Sequence, residues 1–445
     1  MSALSSFKQY FSEASLSSIY QDSVSLSPAT GIDNLTHKNF WPILHRQISI
    51  TSRKALNGKY EFTKYKLKLI SKGRGKSPRE ISIPTIRDRL ALKALCKFLF
   101  DNYKEDLAFE LPQPMVARAL KIIESNTYTG FIKLDVENFY PSINHTELTK
   151  SLRRKTRSAR IIGLIQKAIS TPTVSEPSET GKNNTKGIPQ GLSISNVLAA
   201  IYLSGIDKKY NSKENLSYFR YVDDVFILCQ YDEIQEISNS ISKDFKKLGL
   251  TVHPPQLNGS KSVYGRITEP FDYLGYHFHN SRVSAREGSI RKLKESLVSI
   301  FSAYKYSKNK SINFLQWRLN LRITGCVFKN KGKGWLFFFA EINDETLLHN
   351  LDRYVLHLIS RFNLPLTPKK FVRTFFELKH HRYSNNYIPN FDNFTIPQMS
   401  SVLTEYFGKN IDNLHPEQIK HEFERRINKQ AKELLTDIQD FHYSG

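Results

Sequence analysis

Cysteine is almost missing from this chain. Three residues, Cys96, Cys229 and Cys326, are scattered through 445 positions. An odd, dispersed set builds neither a disulfide framework nor a cysteine-based zinc cluster, and it points to a reducing, cytoplasmic setting. Long apolar runs are missing as well. The stretch Gly334-Trp335-Leu336-Phe337-Phe338-Phe339-Ala340 is far too short to span a bilayer. Residues 1–20 contain no apolar signal core, so no membrane partner is expected. Acidic residues are the third shortage. Forty-two Asp and Glu face 65 Lys and Arg, a formal net charge of +23. Such an excess favours a polyanionic partner, nucleic acid first.

What remains is a globular composition. Hydrophobic residues make up 40% and aromatics 12%, which suits two or three domains around a large buried core. The most informative stretch is Tyr221-Val222-Asp223-Asp224. Its flanks, Ser217-Tyr218-Phe219-Arg220 and Val225-Phe226-Ile227-Leu228-Cys229, are short and rich in β-formers, so two strands joined by a tight turn are expected. A turn aims two adjacent carboxylates at one point. Their repulsion is ordinarily relieved by a divalent cation, although an Asp-Asp pair also suits a plain surface turn.

The remaining elements follow from periodicity. Residues 1–40 are Ser-rich and read as a loose arm with one short helix. A basic stretch then runs from Lys54 to Arg79 through Lys59, Lys64, Lys66, Lys68, Lys72, Arg74 and Lys76. Residues 60–62, 65–69 and 79–84 alternate like strands, with Gly73 and Gly75 at a turn. Arg79 is the best phosphate contact there, because a guanidinium fork matches phosphate oxygens. Residues 88–100 and 116–125 read as helices and 131–136 as a buried strand. That strand ends in Asp135, a charge that needs a partner: the same cation, a helix cap or a core hydrogen bond. Residues 151–170 read as a basic amphipathic helical stretch and 171–186 as a loop. Gly187-Ile188-Pro189-Gln190-Gly191 forms a turn, and Ser193 caps the helix that follows. Residues 233–248 form a helix, 250–261 a loop, and 271–278 a strand pair around a Gly turn. Residues 293–306, 312–323, 345–361 and 417–439 are helical. Residues 325–341 either contact nucleic acid or form a turn, and His380-His381 is surface. The order implies an α+β fold with an antiparallel sheet.

Asp135 with Tyr140 five positions on, Pro189-Gln190-Gly191 before a helix, Tyr221-Val222-Asp223-Asp224 in a hairpin, and Phe271-Asp272-Tyr273-Leu274-Gly275-Tyr276 occur in one order. This ordered set resembles a reverse transcriptase, from about residue 76 to 278, with Arg79 to Leu95 similar to the first fingers motif of bacterial members. The resemblance implies a right-hand polymerase: an arm (1–40), fingers (41–130), an antiparallel-sheet palm (131–280, with a fingers-type insertion at about 144–190), a helical thumb (281–361) and a basic helical extension (362–445). It implies RNA-directed DNA synthesis from dNTPs by two Mg²⁺ ions, with Mn²⁺ able to replace them. Asp135, the Val136 backbone, Asp223 and Asp224 would hold the metals. Arg79, with Arg87 and Arg89 as weaker candidates, would hold the triphosphate. Tyr140 would exclude a 2′-hydroxyl, Gln190 and Gly191 would contact the template and nascent pair, and Lys261 would lie near the leaving pyrophosphate. Tyr273, Leu274 and Gly275 would hold the primer end.

Neither a His-Asn-His endonuclease pattern nor a ribonuclease H acidic set is visible. Valine within Tyr221–Asp224 and Ser193-Ile194-Ser195-Asn196 after Pro-Gln-Gly look closer to defence-associated and abortive-infection members than to intron or retron ones. That resemblance implies copying of an associated non-coding RNA in antiphage defence. Untemplated or protein-primed synthesis, and a non-enzymatic RNA-binding maturase, are the alternatives. A homo-oligomer is compatible with each.

Overall fold

A computed structural model describes residues 2–71, 75, 77–107, 109–255, 260–308, 310–382 and 384–438. Lys72, Gly73, Arg74 and Lys76 of the expected basic hairpin, and residue 439 at the end of the expected last helix, lie outside the described residues. The chain divides into two compact units. One comprises Met1–Glu110, Tyr128–Arg266 and Ser444–Gly445; the other comprises Leu111–Thr127 and Ile267–Tyr443.

The first unit is built on a four-stranded sheet. Its strands run in the order Ser217–Tyr221, Asp224–Cys229, Gly130–Asp135, Val263–Arg266, and every neighbouring pair is antiparallel. Val225, Phe226, Ile227, Leu228 and Cys229 are all fully buried. A strand covered on both faces reads as a continuous apolar run, as this one does. The helices Ser195–Asn211 and Ile234–Lys247 pack against the sheet. The α+β class with an antiparallel central sheet is therefore as the sequence implied.

Four local expectations are corrected. The Ser-rich N-terminus is helical: Ala3–Tyr10, Glu13–Ile19, a π-helical turn Tyr20–Val24 and His37–Phe40. Its serines occupy caps, Ser2 accepting the Ser5 N–H and Ser12 the Ser15 N–H. Phe7, Phe11, Leu16, Ile19 and Tyr20 are buried, and these helices pack against the long helix Ile86–Tyr103. Serine here is a cap rather than a sign of disorder. Residues 60–62 form no strand, because Tyr60 turns into the core and donates its hydroxyl to Asp88 at 2.8 Å. The helical stretch expected over 151–170 belongs to two helices, His145–Arg153 and Ala159–Ser170. Between them Lys155 leaves the helical path to meet Glu105 at 3.0 Å and Asp106 at 3.2 Å, which relieves a crowd of like charges. Within the expected loop 171–186, Thr173–Val174 pairs in parallel with Tyr65–Ile70, whose other neighbour is Arg79–Ile83.

The second unit contains a three-stranded antiparallel sheet, Phe271–Tyr273, Tyr276–His279 and Arg282–Ala285, one strand more than expected. Its main helices are Glu287–Lys305, Ile312–Thr324, Glu345–Arg361, Phe371–His380 and Pro416–Glu433. Residues 325–341 form the hairpin Cys326–Phe328/Lys331–Lys333 and the short helix Trp335–Phe338. Trp335 is buried and its indole donates to Ser289 Oγ at 3.1 Å, so the apolar part of this stretch is core. Among the described residues no helix is long and apolar enough to cross a membrane.

Candidate active site

The hairpin after Tyr221 is a two-residue turn. Tyr221 pairs with Asp224 across the strands, and Val222 and Asp223 bridge them. Val222 holds φ at 57°, the left-handed region that a β-branched residue adopts only under constraint. The constraint is visible. Arg220 donates through Nη1 to the Val222 carbonyl at 2.8 Å and through Nε to Asp207 Oδ1 at 2.7 Å, while its second Nη meets Asp207 Oδ2. Tyr218 donates to the same carboxylate at 3.0 Å. Asp207 is buried on the helix Ser195–Asn211, so that helix pins the turn through one guanidinium. Asp207 raises the pKa of Arg220 above its already high value despite burial, so the guanidinium stays charged.

Asp135 ends the neighbouring strand and stands directly opposite Asp224. Sequence distance has vanished here: residues 135 and 224 are cross-strand partners, with Asp223 next to them on the bend. The electrostatic consequence appears on Asp223. Burial first, then the charges of Asp224 and Asp135, push its carboxyl well above the usual carboxylate range, and Lys261 only partly offsets them. Asp135 itself is 9% exposed. Its Oδ2 lies 3.3 Å from Lys261 Nζ and 3.3 Å from His253 Nε2, and its backbone N–H donates to the buried Ser262 hydroxyl at 3.0 Å. His253 also approaches Glu137 through Nδ1 at 3.5 Å. Among the described residues, no group of three or more His, Cys, Asp or Glu side chains is arranged to hold a metal ion. The donor set nonetheless fits a hard divalent cation. It consists of carboxylate oxygens that repel one another, a repulsion second to burial in raising the Asp223 pKa, and oxygen donors are the type that hard divalent cations take.

Tyr140 lies beside this cluster. Asn138 reverses the chain at φ 43°, a conformation that Asn tolerates better than most residues, and the short helix Phe139–Ser142 follows. The Tyr140 ring is 9% exposed and its hydroxyl donates to Asn196 Oδ1. Burial raises its pKa, the Asp223 charge adds to this, and Arg220 and Arg79 oppose it. Asp223 and Arg79 therefore both act on this phenol.

The Gly187–Gly191 turn ties the parts together. Gly187 N–H donates to Ile143 O at 2.8 Å and Ile188 N–H to Tyr140 O at 2.9 Å, while Gln190 O accepts from Ser82 N–H at 2.7 Å. Gly191 sits at φ 99°, and a Cβ there would lie 2.7 Å from Ile81 Cγ2 and 2.9 Å from Ser82 O. Gly191→Ala is expected to destabilise the protein by about 1–3 kcal/mol through strain and contact. Thermal unfolding checks this, and an unchanged midpoint would show that the Arg79–Ile83 strand simply yields. The turn's helix is capped differently from expectation: Ile194, not Ser193, is the N-cap, and Ser195 Oγ donates to Pro189 O at 2.7 Å.

The first unit thus contains Asp135, Val136, Asp223, Asp224, Arg79, Tyr140, Gln190, Gly191 and Lys261. Arg87 and Arg89 share that unit, but their guanidinium groups are engaged elsewhere. Arg87 donates to Thr63 Oγ1 at 3.0 Å and lies over Tyr60; Arg89 donates to Ser27 O at 3.2 Å and Ala29 O at 2.7 Å. Tyr273, Leu274 and Gly275 belong to the second unit. Tyr273 is fully buried with its hydroxyl on Met115 Sδ at 2.9 Å, and Leu274 and Gly275 form a positive-φ turn. Sequence reasoning missed Arg220, Asp207, Asn196 and His253. An Asp inside an otherwise apolar helix and an Arg directly before the acidic turn were the available signals.

Comparison with known proteins agrees with this geometry. Residues 70–278, just under half the chain, match the family described as Reverse transcriptase (RNA-dependent DNA polymerase). Protein YkfC of Escherichia coli (strain K12) is 23% identical over 345 residues, covering 66% of this chain and 85% of that protein. An uncharacterized 91 kDa protein in cob intron of Schizosaccharomyces pombe is 30% identical over 257 residues, covering 54% of this chain and 30% of that protein. Two solved structures are also similar. Apo telomerase from Candida tropicalis, truncated from its C-terminal domain, gives a TM-score of 0.40 at 17% identity, covering 51% of this chain and 55% of that one. Telomerase from Candida albicans with a fragment of telomeric RNA gives 0.43 at 14%, covering 89% and 67%. Scores of that size carry no functional weight. The family match spans both the strand ending in Asp135 and the Asp223-Asp224 turn. Residues 70–278 are therefore a reverse transcriptase domain, the catalytic module of an RNA-directed DNA polymerase.

Proposed function

We propose that the chain copies an RNA template into DNA at the Asp135/Asp223/Asp224 cluster, with residues 41–130 as fingers, 131–280 as palm and 281–361 as thumb. The carrying observation is the cross-strand register of Asp135 with Asp224 beside the bend that holds Asp223. Two divalent ions held by these carboxylates and the Val136 carbonyl would activate a primer 3′-hydroxyl and neutralise charge on the attacked phosphate. Lys261 and His253 hold Asp135 in place, and Lys261 also offers a cation to a departing pyrophosphate. Arg79 presents its guanidinium to the triphosphate. Positioning and electrostatics then suffice, with no covalent intermediate on the protein.

Tyr140 excludes the ribose 2′-hydroxyl. Tyr140→Ala is expected to raise ribonucleotide incorporation relative to deoxynucleotide by about 10- to 100-fold, mainly through KM, while Tyr140→Phe keeps the selectivity. Steady-state incorporation with matched nucleotide pairs reads this directly. Unaltered sugar preference in the Ala variant would remove Tyr140 from the site.

The template is an associated non-coding RNA, and the setting is bacterial antiphage defence. The Val222-containing turn and the Ser193–Asn196 segment support this reading. Sequencing RNA and DNA that copurify with the protein tests it: one dominant transcript with its complementary DNA is expected, and bulk cellular RNA without DNA would count against it. The S. pombe relative, described as lying in cob intron, favours a second reading, an RNA-binding maturase. That reading requires biological activity to survive Asp223→Ala.

A further inference from the structure

A cleft outside the polymerase motifs lies within the second unit. It opens between the helices Glu345–Arg361 and Phe371–His380 and has a volume of about 790 Å³. The two helices are joined at its floor. Asp352 accepts the Phe371 N–H at 2.6 Å and the Val372 N–H at 3.4 Å, and so caps the second helix. Leu356 and Phe376 line the opening and are 53% and 52% exposed. Two large exposed apolar side chains at one opening are the kind of surface that a partner covers.

The solvent-facing charge around this apolar patch is mainly positive. His349, Arg353, Lys370 and Arg373 line the cleft, and all four side chains face solvent. The two acidic residues that line it are both engaged. Asp352 is spent on the helix cap, and the buried Glu377 meets Arg373 at 3.4 Å and His381 at 3.2 Å. Arg353 hydrogen-bonds the neutral Asn350 amide. The aromatic surface continues past the rim. His380 packs on Phe376 at 4.6 Å, and Lys369 and Arg373 lie over Tyr387 at 4.8 and 5.1 Å.

An apolar opening bordered by Arg353, Lys370 and Arg373 matches a ligand with a planar apolar face and regularly spaced negative charge. An unpaired nucleic-acid strand is such a ligand, with bases that stack on aromatic rings and phosphates that seek Arg and Lys. A duplex hides those base faces. We infer that this cleft binds an unpaired segment of RNA, with a base against Phe376 and Leu356 and the flanking phosphates on Arg353, Lys370 and Arg373. The choice of RNA over DNA rests on the polymerase reading; the cleft itself does not.

The test uses the full-length chain carrying Asp223→Asn, so that a failure of polymerase chemistry cannot be mistaken for a failure of binding. An oligouridine probe containing 4-thiouridine is photocrosslinked and the labelled peptides are identified by mass spectrometry. Fluorescence anisotropy gives the affinity. Crosslinks to the peptide bearing Phe376 are expected. Phe376→Ala and Arg353→Glu should abolish them and weaken oligouridine binding by about 5- to 100-fold. Phe376→Tyr, which keeps the ring, should behave as the parent. Lys243→Glu, the same charge change on an exposed position of the helix Ile234–Lys247, should leave the crosslink in place. Parental crosslinking and affinity in both Phe376→Ala and Arg353→Glu overturn the inference. Equal losses with oligo(dT) overturn the assignment to RNA. A cleft that ignores oligouridine but binds a Glu-rich amphipathic peptide is a protein-docking surface, and overturns it too.

Discussion

Asp223→Asn is expected to abolish primer extension and at the same time make the metal-free protein more stable. The two effects have one cause. Burial and the neighbouring charges of Asp224 and Asp135 raise the pKa of this carboxyl. A carboxyl whose folded pKa lies above its unfolded value stabilises the fold below the ordinary carboxylate range. That contribution is lost as pH rises through the raised value. At pH 8 with chelator the wild type therefore carries like charges that an amide at position 223 does not. A gain of about 1–2 kcal/mol, a few degrees in the melting midpoint, is expected for the variant. The difference should shrink towards pH 4, where the wild-type group is protonated. Added Mg²⁺ should raise the wild-type midpoint more than that of the variant, because the cation relieves the same repulsion. Primer extension on an RNA template should fall by at least about 10³-fold, since several kcal/mol of transition-state stabilisation would depend on the metals these carboxylates are proposed to hold. Equal product from wild type and variant would end the catalytic reading. A variant that melts no higher in chelator would end the electrostatic one.

This acidic cluster was legible in the sequence because its pieces are local. A tight turn between two β-forming flanks announced Asp223 and Asp224, and a buried strand ending in a charge announced Asp135. The register that sets Asp135 opposite Asp224 was not legible, because strand pairing is decided by the whole sheet. The same limit hid His253, which is remote in sequence from the carboxylate it touches. It also hid the helical N-terminus, where spacing rather than composition carried the signal: Phe7 and Phe11, then Leu16 and Tyr20, fall four apart on one face. Arg87 and Arg89 carry contacts that the sequence did not show. Arg87 donates to the Thr63 hydroxyl and Arg89 to the Ser27 and Ala29 carbonyls, partners that lie far from either residue in sequence. Tyr273 is a motif aromatic that is also core, and the Leu274-Gly275 turn beside it is buried as well.

Arg220 is expected to matter as much as the carboxylates, although it would touch neither substrate nor metal. Its guanidinium joins the Asp207 carboxylate to the Val222 carbonyl, and Val222 is the residue held at φ 57°. Arg220→Ala leaves Asp207 buried with only the Tyr218 hydroxyl among its described side-chain donors, and leaves the Val222 carbonyl without its donor. Breaking a buried ion pair from one side costs about 3–5 kcal/mol, which chemical denaturation should record. The turn would then relax, and a displacement of about 1 Å at a metal-holding carboxylate is enough to lower kcat about 10²-fold. KM for the nucleotide should change little. Arg220→Lys separates stability from positioning. An ammonium keeps the charge against Asp207 but cannot serve the carboxylate and the Val222 carbonyl in one plane. Stability should therefore recover further than kcat. A Lys variant with the wild-type rate would show that the ion pair alone is needed. An Ala variant that unfolds like wild type would show that the strained turn holds itself.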